Sequence, residues 1–329
     1  MKKEKTIVKS VGGNNYDFII IGAGVAGLAA GMYGGRLGLK TLVLGTSNSS
    51  ELPIGGVITT TNVVENYPGF IRLTGTELAD KIRDHALDYK EFVTIKEEKV
   101  ISIEKKEKFL VQTDKFAYEG KTILFATGTK WKKLPEEVKG GREFENKGVA
   151  YCAICDGPLY RNKTIAVIGG SDSAAKDALL LAEYAKKVYI IYRGEQIRAE
   201  PINLERIRKN NKIEVINNTN ILEVKGEQFF KSVVLDEPYH GKKELALDGI
   251  FVAIGHIVLS DLAKPLGVNL NEKGEITINH KTSETNVSGV YAAGDVSDKQ
   301  FKQAITGVAE GCTAAYSAYE YITKKGNDI

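Results

Sequence analysis

Apolar positions along this chain fall mostly in short β-branched runs that stop at glycine, each followed by an alanine- and leucine-rich stretch. Asp17 to Ile21 is one such run, and it ends at Gly22-Ala23-Gly24-Val25-Ala26-Gly27. The segment from there through about Gly38 predicts a helix, and Thr41 to Leu44 predicts a second strand, completing a β-α-β unit. The same grammar returns in mid-chain. Thr164 to Ile168 reads as a strand, Gly169-Gly170-Ser171-Asp172-Ser173-Ala174 as a turn, Ala175 to Ala185 as a helix and Val188 to Tyr192 as a strand. Two distant copies make a duplicated unit and not a solenoid. Val100 to Thr113 and Glu214 to Val234 predict antiparallel hairpins, whereas Thr122 to Ala126 and Gly249 to Ile254 are short strands ending near glycine.

This order predicts an α/β fold of two Rossmann-like dinucleotide-binding domains, the second inserted into the first. Residues 1–133 form the first part of the outer domain, 134–254 the inserted domain and 255–329 the return. The breaks fall near Trp131 to Leu134 and near Ile254 to His256, and the polar ends Met1 to Asn15 and Lys324 to Ile329 are expected to fray. A length of 329 residues suits two domains of ordinary size. Hydrophobic content of 43% and charged content of 26% are those of a soluble globular protein. The net charge of +3 comes from interspersed Lys and Glu, so nothing calls for nucleic acid. No stretch approaches the roughly 18 apolar residues of a membrane span, and no apolar signal-peptide core follows the N-terminal lysines. Three cysteines argue against a disulfide-stapled secreted chain, which leaves a cytoplasmic protein.

Those cysteines carry the chemistry. Cys152-Ala153-Ile154-Cys155-Asp156-Gly157 places two thiols in C-x-x-C spacing ahead of a carboxylate. The spacing fits a redox dithiol or half of a zinc site. Zinc needs three or four ligands, and beyond the pair the chain offers only Cys312 and the scattered His85, His240, His256 and His280. The redox reading is therefore favoured and no metal is expected. Cys312, in a helical stretch, reads as a small buried hydrophobe, and Lys96 to Lys108 as a solvated hairpin.

Two mononucleotide-type units imply two nucleotide cofactors. In the first, Gly22 permits the tight turn, Gly24 lets backbone approach a pyrophosphate and Gly27 lets the helix pack on the strand. The second strand ends Leu44-Gly45, without the acid that usually holds a ribose hydroxyl. The second unit has Gly169 at the turn, but Ser171 replaces the central glycine and Ala174 the last. After its second strand comes Tyr192-Arg193-Gly194-Glu195-Gln196-Ile197-Arg198, where Arg193 and Arg198 favour a 2′-phosphate and Glu195 keeps NAD open. Near the C-terminus, Val290-Tyr291-Ala292-Ala293-Gly294-Asp295-Val296 is a strand that turns on glycine and presents a carboxylate suited to a flavin ribityl hydroxyl.

Together these motifs resemble the low-molecular-weight, prokaryotic-type thioredoxin reductases, over about Tyr16 to Ile322. Further matching segments are Gly55-Gly56 with Thr59-Thr60-Thr61, Glu65-Asn66-Tyr67-Pro68-Gly69, Ala126-Thr127-Gly128, Phe251 to His256, and Lys302-Gln303-Ala304-Ile305-Thr306. The resemblance implies FAD held by Gly22, Gly24, Gly27, Gly55, Gly56, Asn66, Thr127, Gly128, Asp295, Gln303 and Ala304. It implies NADPH at Gly169, Ser171, Asp172, Ser173, Ala174, Arg193 and Arg198. It also implies a homodimer, thioredoxin or a thioredoxin-like protein as partner, Cys155 on the flavin side of the disulfide, Cys152 as the thiol that attacks thioredoxin, and Asp156 as acid/base. Three departures stand out. Val57 replaces a glutamine, the loop from Thr46 to Ile54 is longer, and Gly194 stands where the family has a phosphate-binding arginine.

The expected activity is thioredoxin-disulfide reduction, with electrons passing from NADPH through FAD and the Cys152–Cys155 pair. The alternatives are a flavin-dependent disulfide reductase fed by NADH or a reduced protein, and a non-catalytic flavin- or zinc-binding protein. The dithiol and the second nucleotide unit share one inserted domain, so a hinge motion at its two linkers is expected to alternate them.

Overall fold

In the computed structural model, residues 15–46 and 53–327 are described. The chain divides into two compact units, one of Met1–Lys130 with Val258–Ile329 and one of Trp131–Ile257. Both are Rossmann-like. Met1 to Asn14, and residues 47–52 of the long loop after the second strand, lie outside the described residues.

The outer unit opens with β1 (Asn15–Ile21), α1 (Val25–Arg36), β2 (Thr41–Gly45), α2 (Gly75–Leu87) and β3 (Val93–Glu97). It continues through β4 (Val100–Lys105), β5 (Phe109–Thr113) and β6 (Ala117–Phe125) to β7 (Thr129–Trp131). Strand order is β3-β2-β1-β6-β5-β4, parallel through β6 and antiparallel at β5 and β4. Alternation along β1 explains why this sheet is covered on both faces. Ile19 and Ile21 point into a cluster with Ile103, Phe109 and Val111. Phe18 and Ile20 point into another with Leu28, Ala30 and Ala314. A capping box closes the start of α2, with Thr74 accepting from Glu77 N–H and the Glu77 carboxylate accepting from Thr74 N–H.

The inserted unit contains β8 (Val149–Ala150), α3 (Ala153–Asp156), β9 (Thr164–Ile168), α4 (Asp172–Tyr184), β10 (Lys187–Ile191), α5 (Pro201–Lys209) and β11 (Ile213–Ile216). Then come β12 (Ile221–Gly226), β13 (Phe230–Tyr239), β14 (Lys242–Ala246), β15 (Gly249–Val252) and β16 (His256–Val258). Its sheet runs β11-β10-β9-β15-β8, all parallel, beside the antiparallel β12-β13-β14. Ile165 and Val167 pack under α4 with Ala174 and Ala178, while Ala166 and Ile168 meet Val224 and Val233 of the antiparallel layer. The chain then returns to the outer unit with β17 (Val290–Ala292), parallel to β6, and α6 (Ala304–Asn327).

Three expectations need correction. Glu214 is not in a hairpin but in β11, paired in parallel with Tyr189, and the hairpin starts at Ile221. Asn218, with φ of 52°, breaks the apolar run between the two. The Lys96 to Lys108 segment is not solvated throughout: Glu98 is buried, accepting from Thr113 Oγ at 2.7 Å and Tyr118 OH at 2.8 Å. At the C-terminal end, helix α6 runs through Lys324 to Asn327, so part of the stretch expected to fray is helix.

Helices α1 and α6 meet almost backbone to backbone. A Cβ on Gly311 would lie 2.1 Å from the carbonyl oxygen of Ala26. Gly311→Ala should therefore push the helices apart and cost about 1–3 kcal/mol. Urea denaturation of the cofactor-free protein measures this, and an unchanged midpoint would contradict the close packing.

Candidate functional site

Each unit carries its own cluster of candidate residues at the carboxyl ends of its parallel strands. In the outer unit, β1 turns at Gly22 into α1. Gly22 has φ of +114°, and a Cβ there would fall 2.2 Å from the carbonyl oxygen of Ala126 at the end of β6. Gly27 is as constrained, since its Cβ would lie 1.9 Å from the Gly22 oxygen. Above this knot the space opens. A Cβ on Gly24 would meet nothing nearer than Gly55 oxygen at 3.8 Å and Gly56 Cα at 3.9 Å. Gly24 is the N-cap of α1 and supplies no side-chain cap, and the first turn holds no acid. The first N–H groups of a twelve-residue helix thus face an open glycine cradle. A pyrophosphate fits such a place through its charge and acceptor oxygens.

Residues far apart in sequence gather around the cradle. Asn66 Nδ2 donates to Gln303 Oε1 at 3.0 Å, tying the Glu65–Gly69 segment to the start of α6 beside Ala304. Asp295 sits half-buried on the turn Gly294–Val296, and its carboxylate has no hydrogen-bond or ion-pair partner among the described residues. A carboxylate left free in this way fits an arriving hydroxyl donor. Thr127 is committed elsewhere, its hydroxyl donating to Leu259 oxygen at 2.6 Å, and Gly128 oxygen accepts from Leu259 N–H at 3.0 Å. These two residues therefore offer backbone and not side chain to a cofactor.

In the inserted unit, Cys152 and Cys155 are joined as a disulfide with Cα atoms 5.3 Å apart. Cys152 is the N-cap of α3 and is buried, and its sulfur accepts from Cys155 N–H at 3.2 Å. Cys155 is exposed. Asp156 follows, half-buried, and burial raises its carboxyl above the ordinary value. The third cysteine, Cys312 on α6 of the outer unit, lines an apolar pocket of about 230 Å³ with Met32, Tyr67, Phe70 and Ile82. Burial pushes its thiol up to about 11.

The second glycine turn joins β9 to α4. Ala174 is buried in the core, as close packing of helix on strand requires, while Ser171 and Ser173 stand exposed at the helix start. Ser171 is the N-cap, yet its hydroxyl makes no capping bond and remains available to an anion. Asp172 faces inward. Its carboxylate accepts from Glu200 N–H at 2.8 Å and Asn203 Nδ2 at 2.9 Å and pairs with Lys176 at 2.7 Å. Burial opposes its ionisation, but these contacts outweigh burial and lower its pKa. Asp172 thus secures α5 to the turn. Arg198 N–H donates to Gly170 oxygen at 2.6 Å, and the side chains of Arg193 and Arg198 are exposed without ion pairs among the described residues. A helix N-terminus flanked by two uncommitted guanidinium groups fits the phosphates of a nucleotide. The Tyr192 ring lies over Gly170 and Gly194, where added Cβ atoms would approach it to 2.4 and 2.6 Å. An arginine at position 194 would thus require Tyr192 to move, a constraint invisible in the sequence.

Residues 16–311 match the family model described as pyridine nucleotide-disulphide oxidoreductase. The chain is 36% identical over 313 residues to thioredoxin reductase of Mycolicibacterium smegmatis, with 94% of this chain and 97% of that one covered. It is also 36% identical to the bifunctional thioredoxin reductase/thioredoxin of Mycobacterium leprae (strain TN), with 94% of this chain covered but only 66% of the relative's length spanned. Among solved structures, thioredoxin reductase of Lactococcus lactis in the FR conformation is similar with a TM-score of 0.87 and 35% identity, covering 94% of this chain and 99% of that one.

One further acid lies outside the expected set. Asp177 on α4 has no hydrogen-bond or ion-pair partner among the described residues, and burial raises it from the ordinary 3.8 to about 7. Its ionisation is penalised only in the folded state, so it removes stability as pH rises from 3.8 through about 7. Asp177→Asn should raise Tm at pH 8 by about a few degrees and change it little near pH 4. Calorimetry at the two pH values checks this; equal shifts at both would contradict it.

Proposed function

The chain belongs to the pyridine nucleotide-disulphide oxidoreductase family, and from that membership we propose that it is a thioredoxin-disulfide reductase that takes its electrons from NADPH. The observation that carries the reading is the Cys152–Cys155 disulfide at the start of α3, next to Asp156 and in the same unit as the second nucleotide turn. FAD would be held by the Gly22–Gly27 cradle, Gly55, Gly56, Asn66, Thr127, Gly128, Asp295, Gln303 and Ala304, and NADPH by Gly169, Ser171 to Ala174, Arg193 and Arg198. When bound, these cofactors supply a two-electron relay from nicotinamide to the disulfide.

The protein's own residues do the remainder. Once the pair is reduced, Cys152 is the exchange thiol, and the Cys155 N–H directed at its sulfur would stabilise a thiolate there. Cys152 thiolate attacks one sulfur of the partner disulfide, forming a mixed disulfide and expelling the other partner thiolate. Cys155 thiolate then attacks Cys152 sulfur, which restores the internal disulfide and releases the second partner thiolate. Asp156, raised by burial, hands a proton to a departing thiolate. Cys152 is 8% exposed, so it is withheld from a protein substrate until its segment opens.

The partner is thioredoxin or a thioredoxin-like protein, and the compartment is the cytoplasm, where such a dithiol can cycle. Among the described residues no helix is long and apolar enough to cross a membrane. The protein pairs as a homodimer. Ile71, 95% exposed next to Phe70, is an apolar side chain that a second copy would remove from water.

Cys152→Ser should abolish reduction of thioredoxin disulfide while the purified yellow protein is still bleached by nicotinamide under anaerobic conditions. Loss of bleaching in this variant would overturn the division of labour between the two thiols. A wild type that is never bleached by any reduced nicotinamide would favour a reduced protein as donor.

NADPH should be preferred to NADH. Each charge-assisted hydrogen bond from Arg193 or Arg198 to a 2′-phosphate is worth about 1.5–3 kcal/mol. Arg193→Ala should therefore lower the NADPH/NADH ratio of kcat/KM by about tenfold or more. An unchanged ratio, or a wild type favouring NADH, would shift the assignment to Glu195 and a ribose hydroxyl.

A further inference from the structure

Two largely buried ion pairs surround the turn that carries Asp295, and neither uses the Asp295 carboxylate. Lys302 Nζ donates to the carbonyl oxygens of Asp295 and Ser297 at 2.8 and 3.1 Å, yet its counter-ion is Glu275 at 2.6 Å. Lys299 Nζ donates to Thr306 oxygen at 2.8 Å and pairs with Glu310 at 2.6 Å. Glu310 also accepts from Gly294 N–H at 2.7 Å and Ser297 Oγ at 3.1 Å. Glu275 is fixed in turn by Asn271 Nδ2 at 2.7 Å. The four side chains are 10% to 27% exposed.

Taking ions out of water is expensive, and a buried pair often adds nothing to stability over an apolar pair of similar volume. Geometry offers the better reason for these charges. Lys302 already touches the backbone oxygen of Asp295, so without a stronger partner its ammonium would swing to that residue's carboxylate. An Asp295 committed to a lysine could no longer accept from a hydroxyl at full strength. We propose that Glu275 is a positioning residue that holds Lys302 away from the Asp295 carboxylate, keeping it free for a ribityl hydroxyl of the flavin. This rests on the FAD reading of the outer unit. The carboxylate of Glu275 stays charged and able to hold a cation. Burial works against its ionisation, but the bonds from Lys302 and Asn271 outweigh burial and keep its pKa low.

The proposal is tested by FAD binding to apoprotein, followed by flavin fluorescence. Glu275→Gln leaves Lys302 without its counter-ion and should weaken FAD by about tenfold or more, the scale of one lost charge-assisted hydrogen bond. Adding Lys302→Gln to that variant removes the competing cation and should restore FAD affinity to within about threefold of wild type. If Glu275→Gln does not fold, Glu275→Met and Glu275→Met/Lys302→Met, an apolar pair of similar volume, repeat the comparison. Glu275→Asp keeps the charge and should bind FAD as wild type does. Double variants no better than their single parents would overturn the proposal, because a role confined to packing predicts cumulative loss. So would glutamine variants with unchanged affinity. Wild-type apoprotein that takes up no FAD would instead remove the flavin reading on which the proposal rests.

Discussion

The outer unit depends on a constraint that has little to do with side chains. Strand β1, helix α1 and helix α6 come so close at Gly22, Gly27 and Gly311 that backbone meets backbone. That closeness aims the start of α1 at the open space over Gly24 and brings the first turn of α6, with Gln303 and Ala304, to the same region. An α1 that begins without a capping side chain leaves its N–H groups unsatisfied unless water or an anion meets them. The base of the cradle is crowded and its rim is open, so the first N–H groups of α1 face free space. Extra bulk below would move the donors, and extra bulk above would cover them.

The two nucleotide units solve one packing problem in opposite ways. In the first, Ala23 of the turn places its methyl where Gly45 at the end of β2 leaves room, and a Cβ on Gly45 would come within 2.4 Å of it. In the second, the turn residue is Gly170, and the strand-end residue is Tyr192, whose ring fills the vacated space. Large and small have exchanged sides. The exchange lets the loop after β10 lean on the turn, which the bond from Arg198 N–H to Gly170 oxygen fixes. Arg193 and Arg198 are presented from this braced loop and not from a free one.

The strands and glycine turns were legible in the sequence because their signals are local: a β-branched run, a glycine where the backbone must reverse, an alanine-rich helix next. The C-x-x-C-D pattern was legible for the same reason. What the sequence hid depends on distant partners. Asp172 stands at the nucleotide turn, and nothing local shows that its carboxylate accepts from Glu200 N–H and Asn203 Nδ2, whose approach depends on where α5 settles. Glu98, in a lysine- and glutamate-rich stretch, gave no hint that Thr113 and Tyr118 would bury it. Nothing near Lys299 and Lys302 in the sequence announces their carboxylate partners, which come from Glu310 on α6 and from Glu275 in the approach to β17. Hydrophobic periodicity reports which face is covered, not which charge is claimed.

Cys312 shows what a disulfide-exchanging protein must also prevent. Any spare thiolate is a nucleophile for the same chemistry the dithiol performs. With its thiol pushed up to about 11 by burial, Cys312 stays protonated at neutral pH. The apolar pocket around it thus acts as kinetic insulation: the third sulfur sits in the same molecule as a redox pair and stays a spectator. A chemist counting reactive thiols in the oxidised native protein would find close to none.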